Sequence, residues 1–113
     1  MGIDVEYFYQ EGVIVISTLQ ISSPETDLLI DCLSSDLSLK RISSFLKPLF
    51  HNPKILKLMH GADNDLVLLK SNFNLSVVNF LDTARLDLEL IKKNNLRGLG
   101  TICNEYTGIK MPK

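Results

Sequence analysis

Apolar and polar positions change period part-way along the chain, and the change divides it into two regions. Val13-Ile14-Val15-Ile16-Ser17-Thr18-Leu19 is an apolar, β-branched run and predicts a strand. Gly2 to Glu6 predicts a strand before it. Asp27 to Cys32 predicts a third, after a turn at Pro24-Glu25-Thr26. The short connections among the three predict an antiparallel meander. From Ser38 the spacing becomes helical, with Leu39, Ile42, Phe45, Leu46 and Leu49 as the apolar positions up to Phe50. Asn52-Pro53 stops that helix. Ile55 to Met59 predicts a fourth strand, Gly61-Ala62 a turn, and Asp63 to Phe73 a helix with Leu66, Leu69 and Phe73 on one side. Val77 to Leu81 predicts a fifth strand, and Thr83 to Lys93 and Leu96 to Tyr106 two more helices. Strand and helix alternating in this way imply parallel pairing through right-handed crossovers. The expected fold class is α/β, a mixed five-stranded sheet flanked by helices. In such sheets ligands sit near the carboxyl ends of the parallel strands.

Composition narrows the picture. At 113 residues and 12.7 kDa the chain makes one domain at most. Its 45% hydrophobic and 22% charged residues are those of a folded protein. No apolar run reaches the roughly 20 residues of a membrane helix. The start, Met1-Gly2-Ile3-Asp4-Val5-Glu6, carries two acids where a signal peptide is apolar, so the expectation is a soluble intracellular protein with no membrane partner. With 12 basic against 13 acidic side chains, the net charge of −1 shows no strongly basic face for long duplex nucleic acid. Cys32 and Cys103 form no CxxC, and with His51 and His60 they make no convincing zinc site; two buried thiols in a reducing compartment are expected. Dinucleotide-binding, P-loop and nucleophile-elbow motifs are absent.

The candidate chemistry lies in the acids. Asp4 and Glu6, two apart on a strand, share a face. Side by side they repel unless a cation lies between them, and their oxygens suit a hard divalent ion. A solvated strand end is the plain alternative. Asp63 is expected to be the N-cap of its helix. Asp65 lies at the edge of that helix's buried stripe, where an acid needs a partner; a metal shared with Asp4 and Glu6 would supply one. His60 is expected to be a packed histidine orienting the turn, Asp82 the cap of the following helix, and Asp31 a similar strand-end residue. Lys40-Arg41, Lys92-Lys93 and Arg97 are expected on solvated helix faces, with a weaker reading of Arg97 or the lysine pair Lys92-Lys93 as phosphate contacts.

Taken together, Ile3-Asp4-Val5-Glu6, Leu19-Gln20-Ile21-Ser22, Leu29-Ile30-Asp31, His60-Gly61-Ala62-Asp63-Asn64-Asp65 with Leu69, Val77 to Thr83 and Leu96-Arg97-Gly98-Leu99 resemble the ribonuclease D family, the tyrosine-type branch of the DEDD 3′–5′ exonucleases. The resemblance extends to the exosome-associated exonuclease of eukaryotes. It implies a ribonuclease H-like fold. It also implies a metal-dependent exonuclease that removes nucleoside monophosphates from single-stranded RNA 3′ ends. Asp4, Glu6 and Asp65 would be the catalytic ligands of two divalent ions, Mg²⁺ or Mn²⁺. Val5 and Tyr7 would flank the terminal nucleotide, the RNA exosome would be a partner, and the location would be nuclear in a eukaryote. The family's third motif, a tyrosine with an aspartate four residues on, is absent: Tyr106 is followed at that distance by Lys110. Residues 1–113 are therefore expected to be a partial exonuclease domain, C-terminally incomplete. An inactive nucleic-acid-binding or scaffold module of the same fold stays open beside it.

Overall fold

The computed structural model describes residues 1–34, 39–91 and 95–112. The expected helix start at Ser38 and the lysine pair Lys92-Lys93 lie outside the described residues. Five strands, β1 (Gly2–Gln10), β2 (Val13–Ser22), β3 (Asp27–Asp31), β4 (Lys57–Met59) and β5 (Phe80–Asp82), form one sheet in the order β3-β2-β1-β4-β5. β1, β2 and β3 are antiparallel neighbours, whereas β4 runs parallel to β1 and β5 parallel to β4. The helices are α1 (Leu39–Phe50), α2 (Asp63–Phe73), α3 (Thr83–Ile91) and α4 (Leu99–Thr107). This is the α/β mixed sheet expected.

β1 runs four residues beyond the predicted stop at Glu6. The reason is the turn. Glu11 and Gly12 have φ of 51° and 80°, the pair of positive values that lets a two-residue hairpin follow the strand twist. Gln10 then pairs with Val13, and the aromatic run Tyr7-Phe8-Tyr9 is held in the ladder. β2 carries one extra residue: Glu6 pairs with Thr18 but Tyr7 with Ile16, leaving Ser17 as a bulge. The bulge reconciles two parities. Leu19 and Ile21 face the core from odd positions and Ile16 from an even one, and all three are buried.

On that face α1 and α2 cover the sheet. Ile3, Val5, Ile16, Leu19 and Ile21 meet Ile42, Leu46 and Phe50 of α1 and Leu68, Leu69 and Phe73 of α2 in one core. α2 ends at Asn74, whose φ of 54° is left-handed and whose N–H reaches back to the Lys70 carbonyl. α4 starts at Leu99, with Gly98 as its N-cap, rather than at the predicted Leu96. Cys32 is buried, Cys103 is half-buried and both are free thiols. Among the described residues no helix is long and apolar enough to cross a membrane.

One core residue is a lysine. Lys57 in β4 is fully buried, and its Nζ donates to the carbonyls of Asn52 at 2.6 Å and Val78 at 2.7 Å. Burial lowers its pKa from the ordinary lysine value. The ammonium ties the loop after α1 to the loop before β5, where sequence periodicity offers only an alternating strand residue. Lys57→Met keeps the volume but strips the donor from both carbonyls. We expect a loss of about 1–3 kcal/mol in urea unfolding. An unchanged midpoint would show that the strut carries no stability.

Candidate active site

Ile3 and Val5 turn into the core, so alternation sends Asp4 and Glu6 to the opposite, open face of β1, where both are exposed. β4 pairs with β1 only at Gly2, through Leu58. Beyond that point the flank of β1 is free of β4, and the chain leaving β4 turns through His60-Gly61-Ala62 into α2. Gly61 has φ of 64°, which a residue with a Cβ adopts only with strain. Asp65 stands in the first turn of α2 and is 8% exposed. Burial raises its pKa from 3.8 to about 6, and the negative charges of Asp4, Glu6 and Asp82 add to the rise. The fold therefore brings Asp65 into the electrostatic reach of Asp4 and Glu6. It does not draw them into a closed cage: among the described residues no three acidic, imidazole or thiol groups stand close enough to enclose an ion. A set of hard oxygen donors whose charges oppose one another is nonetheless the chemistry that a hard divalent cation relieves.

Asp82, at the end of β5, anchors this turn. Its Oδ1 accepts from Gly61 N–H at 2.9 Å, Ala84 N–H at 2.9 Å and Arg85 N–H at 3.4 Å, and its Oδ2 from Ala62 N–H at 2.8 Å. One carboxylate thus caps α3, as expected, and also holds the entry to α2. Burial alone would raise the Asp82 carboxyl, but the four N–H donors bring it below the usual range. Asp63 is corrected. The N-cap position of α2 belongs to Ala62, with no side-chain cap. Asp82 does that work from another strand, and Asp63 instead pairs at the surface with Arg85 at 2.7 Å.

His60 is packed as expected. Its Nδ1 lies 2.9 Å from Thr83 Oγ1 and its Nε2 2.9 Å from the Arg97 carbonyl oxygen. Asp31 turns the chain after β3 by accepting from Leu33 N–H at 3.0 Å. Val5 is 5% exposed inside the core, so it has no side-chain surface to offer a nucleotide; Tyr7 is 40% exposed and meets Tyr9 edge-on.

Arg97 is the second correction. It is no solvated cation: its Nη2 and Nε donate to the two oxygens of buried Asp87 at 2.6 and 2.9 Å, and its Nη1 pairs with Glu105. Tyr106 donates its hydroxyl to Asp87 at 2.8 Å. The Arg97 hydrogen bonds hold the Asp87 carboxyl well below the usual carboxylate range, against its burial, with Tyr106 assisting. The hydrogen bond to Asp87 also pushes the Tyr106 phenol up. This knot joins α3 to α4 and, through the Arg97 carbonyl, to the histidine behind the acids. Asp87 and Tyr106 carry no periodic signal that marks them. Arg97 lies within the Leu96-Arg97-Gly98-Leu99 segment, and only the knowledge of its partner was wanting.

Asp4, Gln20, His60, Leu99 and Met111 are among the residues lining a cleft of about 530 Å³, which Glu6 and Asp65 do not line. Residues 5–113 match the 3′–5′ exonuclease family. The chain belongs to that family. Among curated relatives, the chain is similar to Protein RRP6-like 3 of Arabidopsis thaliana, 43% identical over 67 residues, covering 59% of this chain and 7% of the relative. It is similar to Exosome complex exonuclease RRP6 of Saccharomyces cerevisiae, 33% identical over 84 residues, covering 74% of this chain and 11% of that one. Human Exosome complex component 10 is 34% identical over 83 residues, 73% of this chain and 9% of the relative. The chain therefore spans roughly a tenth of the length of these proteins. The catalytic core of RRP6 from Trypanosoma brucei superposes with a TM-score of 0.75 at 25% identity over 98% of this chain and 29% of that one. RNase D of the same organism superposes at 0.89 with 18% identity, over 99% of this chain and 41% of that one, which speaks for the fold.

Proposed function

We propose that residues 1–113 form part of a divalent-metal-dependent 3′–5′ exonuclease domain that trims single-stranded RNA from its 3′ end and releases nucleoside monophosphates. The observation that supports this reading is the raised carboxyl of Asp65 in the first turn of α2, pushed up first by burial and then by the negative charges of Asp4, Glu6 and Asp82. Asp4, Glu6 and Asp65 would hold the metal. A divalent ion there supplies Lewis-acid stabilisation of charge at the phosphate and acidifies an attacking water. The protein's own part is to fix the acids. β1 sets the Asp4–Glu6 spacing, Asp82 sets the pose of α2, and His60 with Thr83 closes the wall behind. The cleft of about 530 Å³ lined by Asp4, Leu99 and Met111 would take the terminal nucleotide.

RNA as the substrate is supported by the names of the neighbours. Escherichia coli RNase D is described as an exoribonuclease involved in structured RNA processing, and the Trypanosoma brucei RNase D has been solved with RNA. The yeast and human relatives are exosome proteins by name, which supports the exosome as a partner.

The test is stepwise shortening of 5′-labelled single-stranded RNA, using the chain in its native sequence context. Mg²⁺ or Mn²⁺ should support trimming and a chelator should stop it. Asp4→Ala should cost more than the roughly 10–100-fold that loss of an outer-shell partner costs a metal site. Trimming that survives both Asp4→Ala and Asp65→Ala would remove the assignment. Metal-dependent RNA binding without any cleavage would instead point to a binding module.

A further inference from the structure

The sheet ends at β3, far from the acids in strand order, and β3 is paired on one side only. Its outward backbone groups form an open edge, the kind of surface that another extended chain completes. Its five residues include no proline, no lysine and no bulge, and its charges are the acids at its two ends. The edge is also apolar. Leu28 and Leu29 are 42% and 69% exposed, and Phe45 of α1 is 59% exposed. Leu28, Leu29 and Ile30 with Arg41, Ile42 and Phe45 line a groove of about 280 Å³ between β3 and α1. Phe45 belongs to the apolar stripe of α1 by spacing, yet it lies outside the core and forms a wall of this groove.

Charge decides what the edge accepts. β3 reads Asp27-Leu28-Leu29-Ile30-Asp31, an acid at each end and apolar residues between. Both acids are exposed, and among the described residues neither has a cationic partner. The segment is a near-palindrome, so antiparallel pairing of β3 with a second copy, centred on Leu29, sets each Asp27 opposite an Asp31. Two like-charged pairs directly across a strand ladder disfavour that dimer. The same two acids attract a strand that carries basic side chains at matching positions. We infer that β3 and the α1 groove are a docking edge for an extended segment of another protein, three apolar residues flanked by lysine or arginine. The apolar residues meet Leu28, Leu29 and Phe45, and the flanking cations meet Asp27 and Asp31. This site is separate from the exonuclease reading and does not depend on it.

The test uses two fluorescein-labelled peptides, Ser-Lys-Val-Ile-Val-Lys-Ser and Ser-Glu-Val-Ile-Val-Glu-Ser, titrated with the chain and followed by anisotropy. The lysine peptide should bind at least about tenfold more tightly than the glutamate peptide, and added salt should narrow the gap. The double variant Asp27→Lys/Asp31→Lys should reverse the preference. Leu29→Lys changes a mostly exposed side chain, keeps the fold, and should abolish binding. In sedimentation the wild type should stay monomeric. Asp31→Lys alone turns both like-charged pairs of the palindrome into opposite-charged ones and should produce a dimer. Equal or absent binding of the two peptides overturns the proposal. So does unchanged affinity for a lysine peptide N-methylated at its central residue, or a wild-type dimer that Leu29→Lys dissociates.

Discussion

Asp65→Asn should abolish trimming and at the same time make the metal-free domain more stable at neutral pH. The two effects have one cause. The folded-state pKa of Asp65 is raised, so between about pH 4 and pH 6 the folded chain holds a proton that the unfolded chain has released. Stability from this group is full below about pH 4 and is lost as pH rises through about 6. A rise from 3.8 to about 6 is worth at most about 3 kcal/mol. Screening by nearby solvent reduces it to about 1–2 kcal/mol. The amide has no charge to repel, so at pH 7.5 in chelator the variant should melt several degrees higher, at about 4–8 °C per kcal/mol for a domain of this size. Mg²⁺ or Mn²⁺ should then raise the wild-type midpoint and leave the variant nearly unmoved. Thermal scans at pH 4, 6 and 7.5 with and without metal check this. A variant that melts lower than wild type throughout would mean that Asp65 is not repelled by Asp4 and Glu6.

Arg97→Ala should give the greatest loss of stability of any single substitution considered. It leaves the Asp87 carboxylate buried with only the Tyr106 hydroxyl to meet it, and a buried charge without its counter-ion is among the most damaging defects a core can hold. Arg97→Lys should rescue little, because an ammonium cannot occupy both oxygens as the guanidinium does. Removing both charges in Arg97→Met/Asp87→Leu should recover much of the loss. The pH sign is opposite to that of Asp65. The Asp87 carboxyl is depressed, so its contribution is present above the ordinary aspartate range and disappears as the solution is acidified toward pH 2. Chemical denaturation of the three variants at pH 7 and pH 3 checks the order. Equal midpoints for wild type and Arg97→Ala would show that the knot is ornamental.

Much of this was legible in the sequence because it follows from short-range rules. The five strands, their direction and the span of α2 come from periodicity and from turn residues. The Asp4–Glu6 pairing comes from strand alternation alone. The limits were equally physical. Strand 1 seemed to stop at Glu6 because its continuation is aromatic and exposed, and only the backbone at Glu11-Gly12 shows that a hairpin holds it. Asp63 looks like a cap by position, but capping goes to whichever oxygen the tertiary fold delivers, here Asp82. Arg97 reads as a surface cation and Lys57 as an ordinary strand residue, since a burial that depends on partners ten or twenty residues away has no local mark.

The sharing of Asp82 between two helix starts has a consequence for how the chain tolerates change in length. An added residue at the Glu11-Gly12 tip swings nothing but the tip. An added residue between His60 and Asp63 would turn the start of α2 by about 100° against a carboxylate already committed to α3. The acid at position 65 would then point away from its neighbours. Lineages descended from this chain should therefore vary freely in the hairpin and hold the spacing from His60 to Asp65 constant.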